Sequence, residues 1–148
     1  MESTDQHILA LLARDGRMSY TEIGRETKLS TSAAQQRVRR LEQRGVISGY
    51  HASIDPEALG RTLMAFISIR PLDPSTDEAT PSLLVKLPEI TSCYSVAGDA
   101  SYLLKVQVAT TAELDALLTK IRQSANVTTV TTVVLTTIFQ DRPLIEPE

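Results

Sequence analysis

The sequence predicts an α+β protein, with a small helical domain followed by a domain that mixes strands and helices. Apolar residues recur at helical spacing up to Gly45, whereas alternating runs rich in Val, Ile and Thr follow residue 61. The net charge changes in the same region, from +2 over the first fifty residues to −5 over the rest. We therefore expect two domains joined by a linker strand or hinge, with limits at 1–47, 48–61 and 62–148.

The composition excludes several classes of protein. With 148 residues, 42% of them apolar and 4% aromatic, the chain can fold around a mainly aliphatic core. It has no basic leader at its start, and no apolar run approaches the roughly 18 residues that a membrane span requires. We therefore expect a cytoplasmic protein without a membrane partner.

Residues suited to catalysis or metal binding are sparse. One cysteine, Cys93, and two histidines, His7 and His51, are too few for the usual Cys/His zinc site. The sequence has no glycine-rich phosphate loop, and Cys93 has no histidine near it along the chain. We therefore expect no metal, no cofactor and no catalytic residue.

Three short helices are predicted in the first domain. Thr4 is expected to cap the first helix, which runs over residues 5–15. Ser19 and Glu22 have the spacing of a capping box, which marks the start of a second helix. Ser30 precedes a third helix, on which three apolar residues share a buried face: Ala34, Val38 and Leu41. Two short helices joined by a turn and covered by a preceding helix are typical of a helix-turn-helix or winged helix-turn-helix domain.

The exposed side of the third helix is the candidate DNA-reading surface. A run such as Arg37-Val38-Arg39-Arg40, taken alone, is more often a solvated charged face. Here the helix caps, the turn and a net charge of +3 over residues 30–45 coincide on one helix, and together they favour DNA binding. Hydroxyl, amide and guanidinium groups are also the types that contact bases and phosphates. The candidate DNA-binding residues are Ser30, Thr31, Ser32, Gln35, Gln36, Arg37, Arg39 and Arg40.

A single module of this size makes few DNA contacts. Helix-turn-helix proteins reach specific affinity by placing two copies on a pseudo-palindromic site, about 34–36 Å apart. We therefore expect double-stranded DNA as the partner and dimerisation through the second domain.

The second domain is predicted to alternate strands and helices. Strands are expected over 62–71, 90–97 and 102–109, followed by a long last strand over 127–139. One helix lies between Pro74 and Pro88, and a second is expected to be capped by Thr111. The order βαββαβ indicates a ferredoxin-like sandwich, an antiparallel sheet with both helices on one face. Apolar residues at both strand parities, as in Leu103-Leu104, suggest that a second subunit covers the other face.

One turn of this domain suggests a ligand site. The Gly98-Asp99 dipeptide offers close approach to backbone N–H groups and a carboxylate for an ammonium group, which both suit an amino acid. A plain hairpin turn explains the same dipeptide, and from the dipeptide alone the turn is favoured.

The chain resembles the Lrp/AsnC (feast/famine) family of bacterial and archaeal transcription regulators, most closely its actinobacterial branch. The resemblance covers nearly the whole chain and depends on the order of several blocks. They are Asp5-Gln6-His7-Ile8-Leu9, Asp15-Gly16-Arg17, Leu29-Ser30, Arg37-Val38-Arg39-Arg40-Leu41-Glu42, Gly45-Val46-Ile47, Asp55-Pro56-Glu57-Ala58-Leu59-Gly60 and Gly98 with Tyr102-Leu103-Leu104.

This resemblance implies a RAM/ACT-like second domain, homodimers joined through their sheets and assembly to an octamer. It also implies an amino-acid effector bound between dimers beside the turn. The effector-binding residues carried over are Ala97, Gly98, Asp99, Tyr102, Thr119 and Thr132. The family commonly has Gly-Asp-Tyr-Asp-Tyr at this turn, whereas this chain has Gly98-Asp99-Ala100-Ser101-Tyr102.

The function expected is therefore that of a sequence-specific DNA-binding transcription regulator with an oligomerising, effector-binding second domain. The alternative is a ferredoxin-like small-molecule-binding protein or enzyme whose N-terminal helices mediate protein contacts.

Overall fold

The computed structural model describes residues 1 to 146, which form two compact units. The first unit contains residues 1–53 together with 138–146, and the second contains 54–137. The domain limits predicted at 47 and 62 stay predictions, and the predicted end at residue 148 lies outside the described residues. Within residues 1–146, no helix is long and apolar enough to cross a membrane.

The first unit is built from three helices, α1 (Ser3–Arg14), α2 (Tyr20–Thr27) and α3 (Thr31–Gln43). Five buried side chains form its core: Ile8, Ile23, Ala34, Val38 and Leu41. The buried face predicted for the third helix is thus confirmed. These side chains come from all three helices, so α1 covers the pair formed by α2 and α3.

The start of α1 differs from its prediction. The helix begins at Ser3, its N-cap is Glu2, and no side chain caps it, so Thr4 is not the N-cap. Glu2 and Asp5 both bind the Arg37 guanidinium, at 2.9 and 3.0 Å. These ion pairs connect the N-cap residue and the first turn of α1 to α3, and so stabilise the earlier start of the helix.

The starts of α2 and α3 agree with their predictions. Ser19 Oγ accepts from the Glu22 amide at 3.1 Å, and the Glu22 carboxylate accepts from the Ser19 amide at 3.0 Å, which completes a capping box. Ser30 Oγ accepts from the Ala33 amide at 3.1 Å. Each cap satisfies backbone donors that have no partner within the helix.

Gly24 makes the close approach between α2 and α3 possible. A Cβ atom at this position would lie 2.6 Å from the carbonyl oxygen of Leu29 in the turn between the two helices. The Leu29 amide also donates to the Gly24 carbonyl at 2.8 Å. A side chain at position 24 would therefore push α3 away from α2.

The second unit contains a four-stranded antiparallel sheet. Its strands are β1 (Leu63–Pro71), β2 (Ile90–Ser95), β3 (Tyr102–Val108) and β4 (Val127–Val133), in the order β2-β3-β1-β4. Two helices, α4 (Thr80–Leu84) and α5 (Thr111–Ala125), complete the βαββαβ order. The predicted ferredoxin-like topology is confirmed.

The core of this unit lies between the sheet and its helices. Alternate residues of β1, namely Ala65, Ile67 and Ile69, are fully buried against the helical layer. Residues of α5 close the core from the other side: Leu114, Leu117, Ile121 and Ala125. The alternating buried residues of β1 and the helically spaced buried residues of α5 therefore pack together in one apolar layer.

Several boundaries differ from their predictions. The last strand ends at Val133 rather than 139, because its neighbour β1 begins at Leu63 and the register already pairs Ala65 with Val133. Thr110, one residue before the predicted Thr111, caps α5 by accepting from the Glu113 amide at 3.1 Å.

Two predicted elements are replaced by other structure. Residues 74–88 form a 3-10 helix, Pro74–Ala79, before the short α4, because the Asp73 carboxylate accepts from the Ser75 amide and starts the tighter turn. This hydrogen bond lowers the pKa of Asp73. In the linker, residues 46–55 pair with no strand within the described part of the chain, and a 3-10 helix follows at Pro56–Leu59.

The sheet face that points away from the helices, here called the outer face, carries exposed apolar side chains. Val130 is 69% exposed and Tyr94 is 51% exposed. Leu103 lies between their strands on the same face, since it pairs with Tyr94 on one side and with Ser68 on the other. The described residues of this chain leave this apolar surface uncovered.

Candidate DNA interface and ligand site

The side of α3 opposite its buried face forms a polar stripe. Ser32, Gln36, Arg39 and Gln43 recur at spacings of four, three and four residues, and all are exposed. This spacing places them on one side of the helix, and the exposed Arg40 flanks them. Gln43 is absent from the sequence prediction, although its helical spacing from Arg39 could have found it.

Arg39 and Arg40 carry the uncompensated positive charge of this stripe. Among residues 1–146, no carboxylate oxygen lies within ion-pairing distance of either guanidinium. A free guanidinium can grip a phosphate or pair with a guanine edge. The stripe therefore has the chemistry of a DNA-reading surface.

Arg37 has a different environment from its two neighbours. Its guanidinium donates to Glu2 and to Asp5, whose side chain is only 9% exposed. The hydrogen bonds to Glu2 and then to Asp5 raise the pKa of Arg37 above its usual value. In this structure Arg37 fastens α3 to α1 and does not point along the polar stripe.

The remaining candidates lie at the start of α3. Ser30 Oγ caps the helix and lies 3.3 Å from Ser32 Oγ, while Thr31 Oγ1 lies 3.4 Å from Thr21 Oγ1 of α2. Gln35 is half-buried. Ser30, Thr31 and Gln35 are thus held by contacts within the protein. Gln36 is exposed, and its side chain makes no hydrogen bond within the described residues. Ser32 is also exposed, and its hydroxyl contacts that of Ser30.

A second candidate site lies at the turn between β2 and β3, where an open cavity of about 630 Å³ meets the outer face of the sheet. This volume is in the range of small-molecule sites. The cavity is lined by Ser68, Ile69, Arg70, Val96, Gly98, Asp99, Ala100, Leu103, Thr128 and Val130.

The turn itself is held by hydrogen bonds to β1. The Ser101 amide donates to the Ile69 carbonyl at 3.0 Å, and the Val96 amide donates to the Ser101 carbonyl at 3.1 Å. Gly98 has φ near +156°, a conformation that side-chain-bearing residues rarely adopt. The Gly98-Asp99 segment is therefore both a turn, as the dipeptide alone favours, and part of the cavity wall.

The structure brings only some of the predicted effector residues together. Gly98 and Asp99 line the cavity, and Ala97 precedes them in the same turn. Thr132 lies on the outer face of β4, beyond Thr128 and Val130. Thr119 is exposed on α5, where its hydroxyl donates to the Asp115 carbonyl at 3.2 Å.

Tyr102 lies on the helical side of the sheet, away from this cavity. Its hydroxyl donates to the carbonyl oxygen of Asp77 at 3.1 Å. Desolvation, and then the Asp77 carboxylate, raise the pKa of Tyr102. Within one chain, Tyr102 therefore contributes to the packing of the turn rather than to the cavity lining.

Sequence reasoning missed Arg70, which lies at the end of β1. Its Nε donates to the Asp99 carbonyl oxygen at 2.7 Å, and its Nη2 donates to the same oxygen. The residues are far apart in sequence, and only the pairing of β1 with β3 brings them together. Within the described part of the chain, no group of three or more His, Cys, Asp or Glu side chains is placed to hold a metal ion.

Both parts of the chain match family models. Residues 1–42 match the AsnC-type helix-turn-helix domain. Residues 64–144 match the Lrp/AsnC ligand binding domain.

Curated relatives share the arrangement of both parts. The HTH-type transcriptional regulator LrpA of Mycobacterium tuberculosis is 48% identical over 142 residues, covering 96% of this chain and 95% of that protein. The leucine-responsive regulatory protein of Klebsiella pneumoniae is 40% identical over 111 residues, covering 73% of this chain and 67% of that protein. These relatives are named as regulators, which confirms the prediction that the chain is not an enzyme.

Solved structures show the same fold. A feast or famine regulatory protein from M. tuberculosis, complexed with L-methionine, has a TM-score of 0.93 at 48% identity and covers 97% of this chain and 98% of its own. A transcriptional regulator from Neisseria meningitidis, also in complex with L-methionine, has a TM-score of 0.90 at 26% identity, with coverages of 97% and 96%. The predicted α+β fold and the resemblance to the actinobacterial branch are both confirmed.

Proposed function

Because this chain belongs to the Lrp/AsnC family of transcription regulators, we propose that it reads a duplex DNA operator with the polar stripe of α3. The observation that carries this proposal is the pair of exposed guanidinium groups on Arg39 and Arg40, which are free of ion pairs within the described residues. Arg40 suits a phosphate contact, while Ser32, Gln36 and Arg39 suit base edges in the major groove.

Four of the eight predicted residues are proposed to contact DNA, and the other four are proposed to support the reading helix. Ser30, Thr31 and Gln35 support the reading helix through its cap, its contact with α2 and its packing. Arg37 serves the same supporting role through its ion pairs with α1. Gln43 joins the contact set at the far end of the stripe.

We further propose that two chains bind one pseudo-palindromic operator as a homodimer. The outer face supports this proposal, because its exposed apolar side chains are of the kind that a second copy of a sheet covers. Residues 48–61 would act as the hinge that lets two reading helices reach successive major grooves. Assembly of dimers to an octamer, which the family resemblance implies, completes the proposal.

The ligand proposed for the cavity beside Gly98 and Asp99 is a free amino acid with an apolar side chain. The cavity wall carries one cation, Arg70, and one carboxylate, Asp99, that are not paired with each other. Opposite charges held apart in this way complement the two charged groups of an amino acid. The apolar wall formed by Val96, Leu103 and Val130 suits its side chain.

A titration of genomic fragments enriched by the protein tests the DNA proposal. We expect the double variant Arg39→Ala/Arg40→Ala to bind the enriched fragment more weakly and with a flatter dependence on salt, by roughly one unit of slope for each phosphate that it no longer neutralises. Arg122→Ala is the matched control, because Arg122 is an exposed arginine on α5 in the second unit. Equal binding by the double variant and this control would refute the assignment of α3.

A thermal-shift screen against the standard amino acids tests the ligand proposal. An amino acid present at about 100 times its dissociation constant stabilises the folded state by roughly 2.7 kcal/mol. We expect a rise in melting temperature with apolar amino acids. The absence of any shift across the whole set would reject an amino-acid effector.

A further inference from the structure

Arg70 occupies an unusual position in the ligand cavity. It lies at the end of β1, on the outer face beside Thr128 of β4, and it is the only cation among the described residues that line the cavity. Nothing in its local sequence marks it, since Arg70 and Pro71 end an ordinary strand. Its contacts distinguish it from an ordinary strand residue.

The Arg70 guanidinium is held in place without being neutralised. Its Nε and Nη2 both donate to the carbonyl oxygen of Asp99, the Nε hydrogen bond being 2.7 Å long. A carbonyl oxygen fixes the orientation of the planar group but carries no net charge to compensate it. Among residues 1–146, no carboxylate oxygen lies within ion-pairing distance of Arg70.

The Arg70 guanidinium is oriented and carries an uncompensated charge in the cavity wall, so it is suited to bind an anion. The N–H groups that Asp99 does not use remain available as donors. Val96, Leu103 and Val130 line the same cavity and give it an apolar wall beside the guanidinium. A hydrogen bond between this charged group and an anion would be stronger than one between neutral groups. The planar guanidinium matches the geometry of a carboxylate and can donate two parallel hydrogen bonds to it.

We propose that Arg70 is the residue that binds the carboxylate of the effector, and that its hydrogen bonds to Asp99 hold it in position for this task. The inference depends on the proposed function, because it takes the ligand to be a free amino acid. It assigns a ligand contact to a strand residue outside the turn. The Asp99 carboxylate is then left to receive the ammonium group.

The test compares a ligand with and without its carboxylate. Calorimetric titrations of the full chain would use L-methionine and L-methioninamide, or the equivalent pair for another amino acid selected by the thermal-shift screen. The wild-type protein is expected to prefer the carboxylate form by about tenfold or more. Arg70→Met, which keeps a long apolar side chain, should abolish this preference.

Two further variants separate ligand contact from structural support. Arg70→Lys keeps the charge and should keep part of the preference, so it tests the inference even if Arg70→Met folds poorly. Arg122→Met removes an exposed arginine from α5 and should keep the whole preference.

Two outcomes would overturn the inference in distinguishable ways. If both Arg70 variants weaken the two ligands by the same factor, the preference survives and Arg70 only supports the turn, while the proposed effector function stands. If the wild-type chain binds no amino acid at all, the proposed effector function fails and the assignment of Arg70 fails with it.

Discussion

Arg37 and Arg39 are two positions apart on α3, but they have different contacts. Arg37 holds the buried carboxylate of Asp5, whereas Arg39 is exposed and unpaired within the described residues. The sequence shows both as members of one basic run. Helical spacing could separate them, because Arg37 lies next to the buried face, but only the contact with α1 identifies its partner.

The first prediction follows from this difference. Arg37→Ala should lower the melting temperature, because it leaves Asp5 buried without its partner. Arg39→Ala should leave the melting temperature nearly unchanged and should instead weaken DNA binding. Circular dichroism melting of both variants, alongside the same DNA titration, measures the two effects. Equal melting temperatures for the two variants would contradict the supporting role of Arg37.

Gly24 provides a second prediction for a single residue. Alanine is the better helix former, so propensity alone predicts that Gly24→Ala stabilises α2. The Leu29 carbonyl oxygen, which would lie 2.6 Å from the new Cβ atom, belongs to the backbone and cannot rotate away. We therefore expect a loss of about 1–3 kcal/mol in the free energy of unfolding.

Gly49→Ala is the control for this prediction. No atom lies within 4 Å of a Cβ placed at Gly49, and its φ is not in the left-handed region. Denaturant unfolding should find this variant within about 0.5 kcal/mol of the wild type. If Gly24→Ala is as stable as the control, the turn at Leu29 can move away from the new Cβ atom without loss of stability, and the prediction is wrong.

The capping box at Ser19 and Glu22 stabilises the start of the α2 helix. Ser19→Ala removes the oxygen that accepts from the Glu22 amide, and a loss of about 1 kcal/mol in stability is expected. Ser48→Ala, at an exposed linker position, should change stability little. Chemical denaturation of both variants measures the difference, and equal midpoints would rule out a stabilising cap.

Elements with strong local signals could be predicted from the sequence. The capping serines of α2 and α3 and the buried face of α3 have fixed spacing, so the pattern alone located them. The end of β4 could not be located in this way, because Val134 and the residues beyond it look like a strand. Its length is set by where β1 begins, and this is a property of the sheet.

The ligand site was only partly predictable for a related reason. The Gly98-Asp99 dipeptide is visible in the sequence as a turn. Arg70 and Thr128, which complete the cavity wall, come from β1 and β4, and they meet the turn only through strand pairing. Tyr102 is close to the dipeptide in sequence, but the alternation of β3 places it on the helical side.

At the scale of the whole molecule, the outer face gives a prediction about assembly. Val130→Lys places a charge on this face, in the edge strand β4, and should lower the molar mass measured by light scattering after gel filtration. Val85→Lys is the control, since Val85 is 79% exposed at the end of α4 on the helical side of the sheet. A wild-type molar mass for Val130→Lys would reject the outer face as a subunit interface.

The uneven distribution of charge along the chain affects how the whole molecule binds DNA. The net charge of −3 for the whole chain would argue against binding to DNA, but the first fifty residues carry +2 and the rest carry −5. A small basic surface on an acidic body limits attachment to DNA away from the operator. The proposed homodimer would bring two such basic surfaces to one operator and so increase its affinity.

The first unit is not continuous along the chain, because residues 138–146 belong to it together with residues 1–53. During translation, the three helices leave the ribosome first, and the whole sheet unit is made before the last segment of the DNA-reading unit exists. The helices therefore spend this interval without part of their own unit. The last segment of the first unit can therefore join the three helices only after the whole sheet unit has been synthesised.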